Sequence, residues 1–163
     1  MYIKWKINNQ ELSEYSLEEF DKNDESVYGF MLLELGDFQL GYLDEDNDLC
    51  EGNEDIAYYI DKLIECGSAL LEGRKFKVLL LNSNLLEIHV AMNQNVKIEV
   101  VNIMNKDVEY DYTINLDELI SEIKNDYAKY IEDIKEINEC ILKSKLISET
   151  DRVYRDFLTL LDK

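Results

Sequence analysis

Between Leu116 and Ile141, apolar residues fall at Leu116, Ile120, Ile123, Tyr127, Tyr130, Ile134, Ile137 and Ile141, with spacings that alternate between four and three. A 3.5-residue period held over several heptads draws one continuous stripe along a helix. Such a helix is not stable in water until its stripe is covered. Three things could cover it: a second helix of the chain, a sheet, or another copy through Leu116–Ile141. A second amphipathic stretch, Asp151 to Leu161, offers Val153, Phe157, Leu160 and Leu161. Ser148 is its expected cap, with Asp151 where a capping-box acid would sit. The two stretches predict a C-terminal helical hairpin.

Upstream the period changes to two. Tyr2 to Ile7 alternates and runs into a turn at Asn8-Asn9, and Ser16 to Phe20 suggests one helical turn. Val27 to Leu35 is rich in strand formers, and Gly36-Asp37 turns it into Phe38 to Leu43. Asn53, Glu54 and Asp55 supply cap chemistry for a helix whose stripe is Ile56, Tyr59, Ile60, Leu63, Ile64, Gly67, Leu70 and Leu71, ending at Gly73. Four strand-like runs follow, Phe76 to Leu81, Leu85 to Met92, Val96 to Met104 and Val108 to Ile114, as an antiparallel meander. The expectation is one α+β domain over 1–163. Residues 1–115 would form an antiparallel sheet of about six or seven strands on one central helix, and 116–163 the C-terminal helices. At 163 residues, 46% hydrophobic, the chain is long enough to bury such a core.

Charge narrows the function. Residues 11 to 55 hold sixteen Asp or Glu against one base, Lys22, and so carry fifteen of the nineteen excess negative charges. This self-repulsion costs folding free energy, and its simplest use is to attract a cation. Nucleic acid and anionic lipid would both be repelled, so neither is expected as a direct partner. A basic protein surface is the natural complement. Charge that merely keeps the chain in solution is the plainer alternative. Cys50, Cys66 and Cys140 form no CxxC and no metal-ligand spacing, which reads as reduced thiols. The start, Met1 to Lys6, lacks a signal-like apolar run, and no stretch is long enough to span a bilayer. The expected location is the cytoplasm.

Motifs with chemistry are few. Asp44, Asp46, Asp48 and Asp55 match calcium-loop positions one, three, five and twelve. Leu49 replaces the glycine of the sharp turn and Asp55 the bidentate Glu, so the loop reads instead as an acidic docking segment. His89, the only histidine, falls on a strand face with Leu85 and Glu87, and no Ser or Cys is pinned beside it. With 36 acids, suggestive carboxylate pairs arise by abundance alone. Tyr110 and Tyr112 flank Asp111 on one strand, a mixture that suits protein interfaces but also follows from strand propensity. No catalytic set, metal site or cofactor is expected. The candidate partner-binding residues are Asp44, Glu45, Asp46, Asp48 and Glu51, with Glu18, Glu19, Asp21, Asp24 and Glu25 as a second patch.

The order of elements resembles small immunity proteins of bacterial polymorphic-toxin and contact-dependent inhibition systems, notably the WapI-like type. The resemblance rests on Phe30-Met31-Leu32-Leu33-Glu34 with Phe38-Gln39-Leu40-Gly41-Tyr42, and on the helix Ile56 to Leu63 closing at Leu70-Leu71-Glu72-Gly73. The meander Phe76 to Met104 and the helix opening Ile114-Asn115-Leu116-Asp117-Glu118-Leu119 complete it. It covers roughly residues 25 to 130, and the helical tail after Lys143 departs from the short form of such proteins. It implies a cytoplasmic protein that binds and neutralises a toxin domain, often a nuclease with a basic cleft. Other classes stay open: a nucleic-acid mimic that blocks a DNA-binding protein, a calcium-responsive or enzymatic protein, and an oligomeric scaffold built on the long helix.

Overall fold

The computed structural model describes residues 2–41, 54–79, 86–92 and 95–163. Alternating apolar residues build a first antiparallel sheet. Strand β1 (Tyr2–Ile7) pairs with β2 (Tyr28–Leu35), Trp5 opposite Met31 and Ile3 opposite Leu33. The other side of β2 takes β3 (Phe38–Leu40) near its end and the two-residue β4 (Glu54–Asp55) near its start. Ile3, Trp5, Ile7, Met31, Leu33 and Leu35 are buried, as is Leu32 on the opposite face. Two short helices, α1 (Asn9–Glu14) and α2 (Leu17–Lys22), fill the connection between β1 and β2 and bury Leu12 and Phe20.

Helix α3 (Ile56–Leu71) follows β4. The Asp55 carboxylate caps it, accepting from the Tyr58 N–H at 3.0 Å. At the other end Gly73, at φ +70°, donates to Leu70 O at 3.0 Å, and Arg74 donates to Ala69 O at 2.8 Å. That is the Schellman closure which glycine permits without strain. The second sheet is the meander β5 (Phe76–Leu79), β6 (Leu86–Met92), β7 (Val96–Asn102) and β8 (Val108–Ile114), in that order. Ile88, Val90, Val96, Ile98, Val100 and Ile114 are buried.

The chain ends in α4 (Leu116–Asn138), a 3-10 turn (Glu139–Lys143) and α5 (Lys145–Leu161). Ile123, Tyr127, Tyr130, Ile134 and Ile141 of the long stripe are buried within the chain. Leu116, Ile120 and Ile137 of the same stripe are half-buried. At Gly67 of α3 a Cβ would come within 2.6 Å of Ile123 Cδ1 and 2.8 Å of Phe157 Cε2. The missing side chain is what lets α3, α4 and α5 approach so closely.

The α+β class and the C-terminal helix pair agree with the sequence reading. The single six- or seven-stranded sheet on one central helix does not: among the described residues there are two four-stranded sheets and five α-helices. Alternation identifies strands but not their neighbours, and α3 intervenes between the two sets in sequence. Where the sheets meet, side chains join them rather than a backbone ladder. Phe38 of β3 stacks on Tyr110 of β8 at 5.5 Å, and the Asp37 N–H donates to the Tyr110 hydroxyl at 3.1 Å. A second correction concerns α5, which starts at Lys145 rather than Asp151. Buried Ser144 caps it by accepting from the Ile147 N–H, and Ser148 lies inside the first turn, donating to Ser144 O. Leu146, Ile147 and Thr150 extend the covered stripe backwards, so the helix continues to where it is buried.

Candidate interaction surface

Ser16 opens α2 with a reciprocal cap. Its hydroxyl oxygen accepts from the Glu19 N–H at 3.2 Å, and the Glu19 carboxylate accepts from the Ser16 N–H at 3.1 Å. These bonds hold the Glu19 carboxyl below its usual value. Asp21 leaves the same helix to accept from the Lys145 N–H at 2.8 Å, satisfying an amide in the first turn of α5. Asp24 sits at φ +50°, a left-handed conformation that Asp tolerates better than most residues. After this reversal the Glu25 N–H donates back to Phe20 O.

The turn brings Asp21, Asp24 and Glu25 to the start of α5. There they line an open groove of about 230 Å³ with Phe20, Lys145, Leu146 and Glu149. Four carboxylates thus share one groove, and Glu149, more than a hundred residues away in sequence, has no signal near the acidic segment. Glu18 and Glu19 are exposed on the first turn of α2, outside that lining. Asp44, Glu45, Asp46, Asp48 and Glu51 lie outside the described residues. Asp55, the last position of the calcium-loop pattern, is committed elsewhere: besides capping α3 it accepts from the Ser26 hydroxyl at 2.6 Å.

Base pairing divides the acids into two populations. In the later part of the chain Glu65 meets Lys62, Glu72 meets Arg74, Glu99 meets Lys97, Asp133 meets Lys129, and Asp151 meets Arg155. Arg152 bridges Glu149 and Asp156. No ion pair among the described residues involves an acid between Glu11 and Asp37. Their charge acts on neighbours instead. Tyr15 is raised by burial and then by Glu25, and Tyr28 by burial, then Asp55, then Glu25.

Elsewhere the chemistry is sparse. His89 lies on the polar face of the second sheet, with Nε2 2.8 Å from Glu87 and with Lys77 and Glu99 opposite it on the flanking strands. The His89 hydrogen bond holds the Glu87 carboxyl below its usual value. Cys66 is buried in α3, which pushes its thiol up to about 12 and makes it unreactive. An apolar cavity of about 50 Å³ separates Ile3, Met31 and Leu33 from Cys66, Val78 and Ile88. Asp61, Tyr130 and Thr150, from three different helices, each bury an oxygen without a well-formed hydrogen bond. Among the described residues no cluster of His, Cys, Asp or Glu is placed to hold a metal ion, and no helix is long and apolar enough to cross a membrane. Compared with protein-family models, curated proteins and solved structures, the chain matches none.

Proposed function

We propose that this chain is an acidic immunity protein that works in the cytoplasm by binding and neutralising a basic toxin domain, such as a nuclease. The observation that carries this reading is the unneutralised N-terminal acidity: Asp21, Asp24 and Glu25 converge on one groove, which they share with Lys145 and the Arg152-paired Glu149, and the acids of residues 11–37 have no base partner among the described residues. A field of one sign attracts a basic protein over a distance and raises its association rate. The order of elements that resembles toxin-immunity proteins supports the same reading.

Co-expression tests it. The toxin-like C-terminal domain encoded by the adjacent upstream gene should arrest growth when expressed alone, and growth should recover when this chain is supplied. Failure to rescue, with the toxin domain folded and active, would end the reading.

A further inference from the structure

Strand β8 is the last strand of its sheet, and among the described residues nothing lies beside its outer edge in the ladder. Alternate residues of an antiparallel edge turn their N–H and C=O groups away from the neighbouring strand, an invitation to a further strand. Beyond the β7 ladder, no backbone hydrogen bond joins residues 108–114 to another described residue.

The edge presents two rows. Tyr110 and Tyr112 lie on the face of Val100 and Ile98, half-buried, with Phe38 stacked on Tyr110, whereas a register shift between Val100 and Val101 pairs Val108 with Val101 on the opposite face, where it is 51% exposed. Glu109, Asp111 and Thr113 share that opposite face, all exposed. Among the described residues neither Glu109 nor Asp111 forms an ion pair: Asn102 donates to Glu109, and Lys97, one strand further in, is bonded to Glu99 at 2.7 Å and feels Asp111 only through its field. A second copy pairing edge to edge would set these carboxylates against their own counterparts, and like charges across a strand pair are destabilising. Lys or Arg at alternate positions would meet them favourably, with apolar residues between them beside Tyr110 and Tyr112.

We propose that the free edge of β8 accepts an extended strand from a basic partner, in which Lys or Arg alternates with apolar residues. Main-chain bonds supply affinity and the alternating side chains supply selectivity. The proposal rests on the reading of the chain as a binder of a basic protein and gives that binding a second surface, distinct from the α2–α5 groove.

A short capped peptide of alternating Lys and Val serves as the probe, titrated into the isotope-labelled full chain and followed by amide NMR. Shifts and slowed amide exchange are expected at residues 108–114. A peptide of the same charge, N-methylated at alternate amides so that it cannot ladder, should bind at least about tenfold more weakly, as should the unmethylated peptide on E109K/D111K. Equal binding of the two peptides would overturn the proposal, since charge alone would then account for it. So would shifts confined to the Phe20–Glu25 groove, or a concentration-dependent dimer protecting the β8 amides. Absence of binding at millimolar peptide would also overturn it and leave the two acids as guards against self-association. Growth rescue with an inert β8 edge would sink this inference and spare the proposed function, whereas β8 binding without rescue would do the reverse.

Discussion

The indole N–H of Trp5 donates to Asp133 Oδ2 at 2.8 Å, joining β1 to α4 across 128 positions of sequence. Lys129 completes the cluster, 3.8 Å above the indole ring and 3.2 Å from the same carboxylate oxygen. Trp5 is buried and is the chain's single tryptophan, so its fluorescence reports on this contact directly. D133A leaves a buried N–H unpaired and removes the anchor of the Lys129 ammonium. The expected cost is about 1–3 kcal/mol, read as a lower urea midpoint with unchanged slope. A change within about 0.5 kcal/mol, the range of ordinary surface substitutions, would contradict it.

Gly67 gives a test of the three-helix junction. Alanine would gain roughly 1 kcal/mol of helix propensity, yet its methyl group must displace Ile123 Cδ1 and the Phe157 ring. The Ile123 methyl can turn aside, but the buried Phe157 ring has less freedom. Overpacking of this kind costs about 1–3 kcal/mol, so G67A should be net destabilising and G67L more so. Combining G67A with F157L should recover part of the loss, as coupled neighbours do. A G67A protein more stable than the parent in thermal unfolding would show that the helices are not so tightly apposed.

These contacts mark where the sequence was informative. The stripe from Ile123 to Ile134 and the four-strand meander were legible because burial imposes a period on the chain. The start of α1 was legible too and was missed: Asn8 followed by Glu11 is a cap signature, and the Asn8 side chain does accept from the Glu11 N–H at 3.3 Å. Other features leave no local trace. Leu119 is fully buried although it lies off the alternating four-and-three series, and Asp126 is buried although its charge assigns it to the polar face. The acidic segment was evident from composition, but Asp21 as a cap for α5 and Glu149 as a fourth groove carboxylate depend on how distant segments pack. Composition counts charges, and only the fold decides which of them meet a base.

Asp126 makes stability depend on pH. Burial first, and then the nearby Glu122, raise its carboxyl to about 7, with Lys129 acting against them. In the unfolded chain the group returns to about 4. A raised folded value means that the native state holds the proton more tightly than the unfolded one. The resulting stability is fully present below about pH 4 and is lost as pH rises through about 7. Other carboxylates act in the opposite sense at low pH, so the effect is isolated by comparison with D126N. That variant should match the parent near pH 4 and exceed it by about 1–2 kcal/mol at pH 8, after discounting for partial solvent screening. Denaturation midpoints of both proteins at a series of pH values measure the difference, and parallel curves would refute the assignment.

The groove acids can be separated from their structural duties by choosing which to neutralise. Asp21 caps α5, so D21N should lower stability by about 1 kcal/mol whatever the partner. Asp24 and Glu149 line the groove without capping a helix, and asparagine tolerates the left-handed conformation at position 24. D24N/E149Q should therefore keep the parent's melting temperature within a degree or two, because exposed charges contribute little to stability. Its association with the basic toxin domain should slow by several-fold at low ionic strength, and the slope of association rate against salt should flatten, since both carboxylates belong to the steering field. Stopped-flow rates between low and physiological salt measure both effects. If rate and salt slope match the parent, the groove plays no part in capture and the steering charge resides elsewhere on the chain.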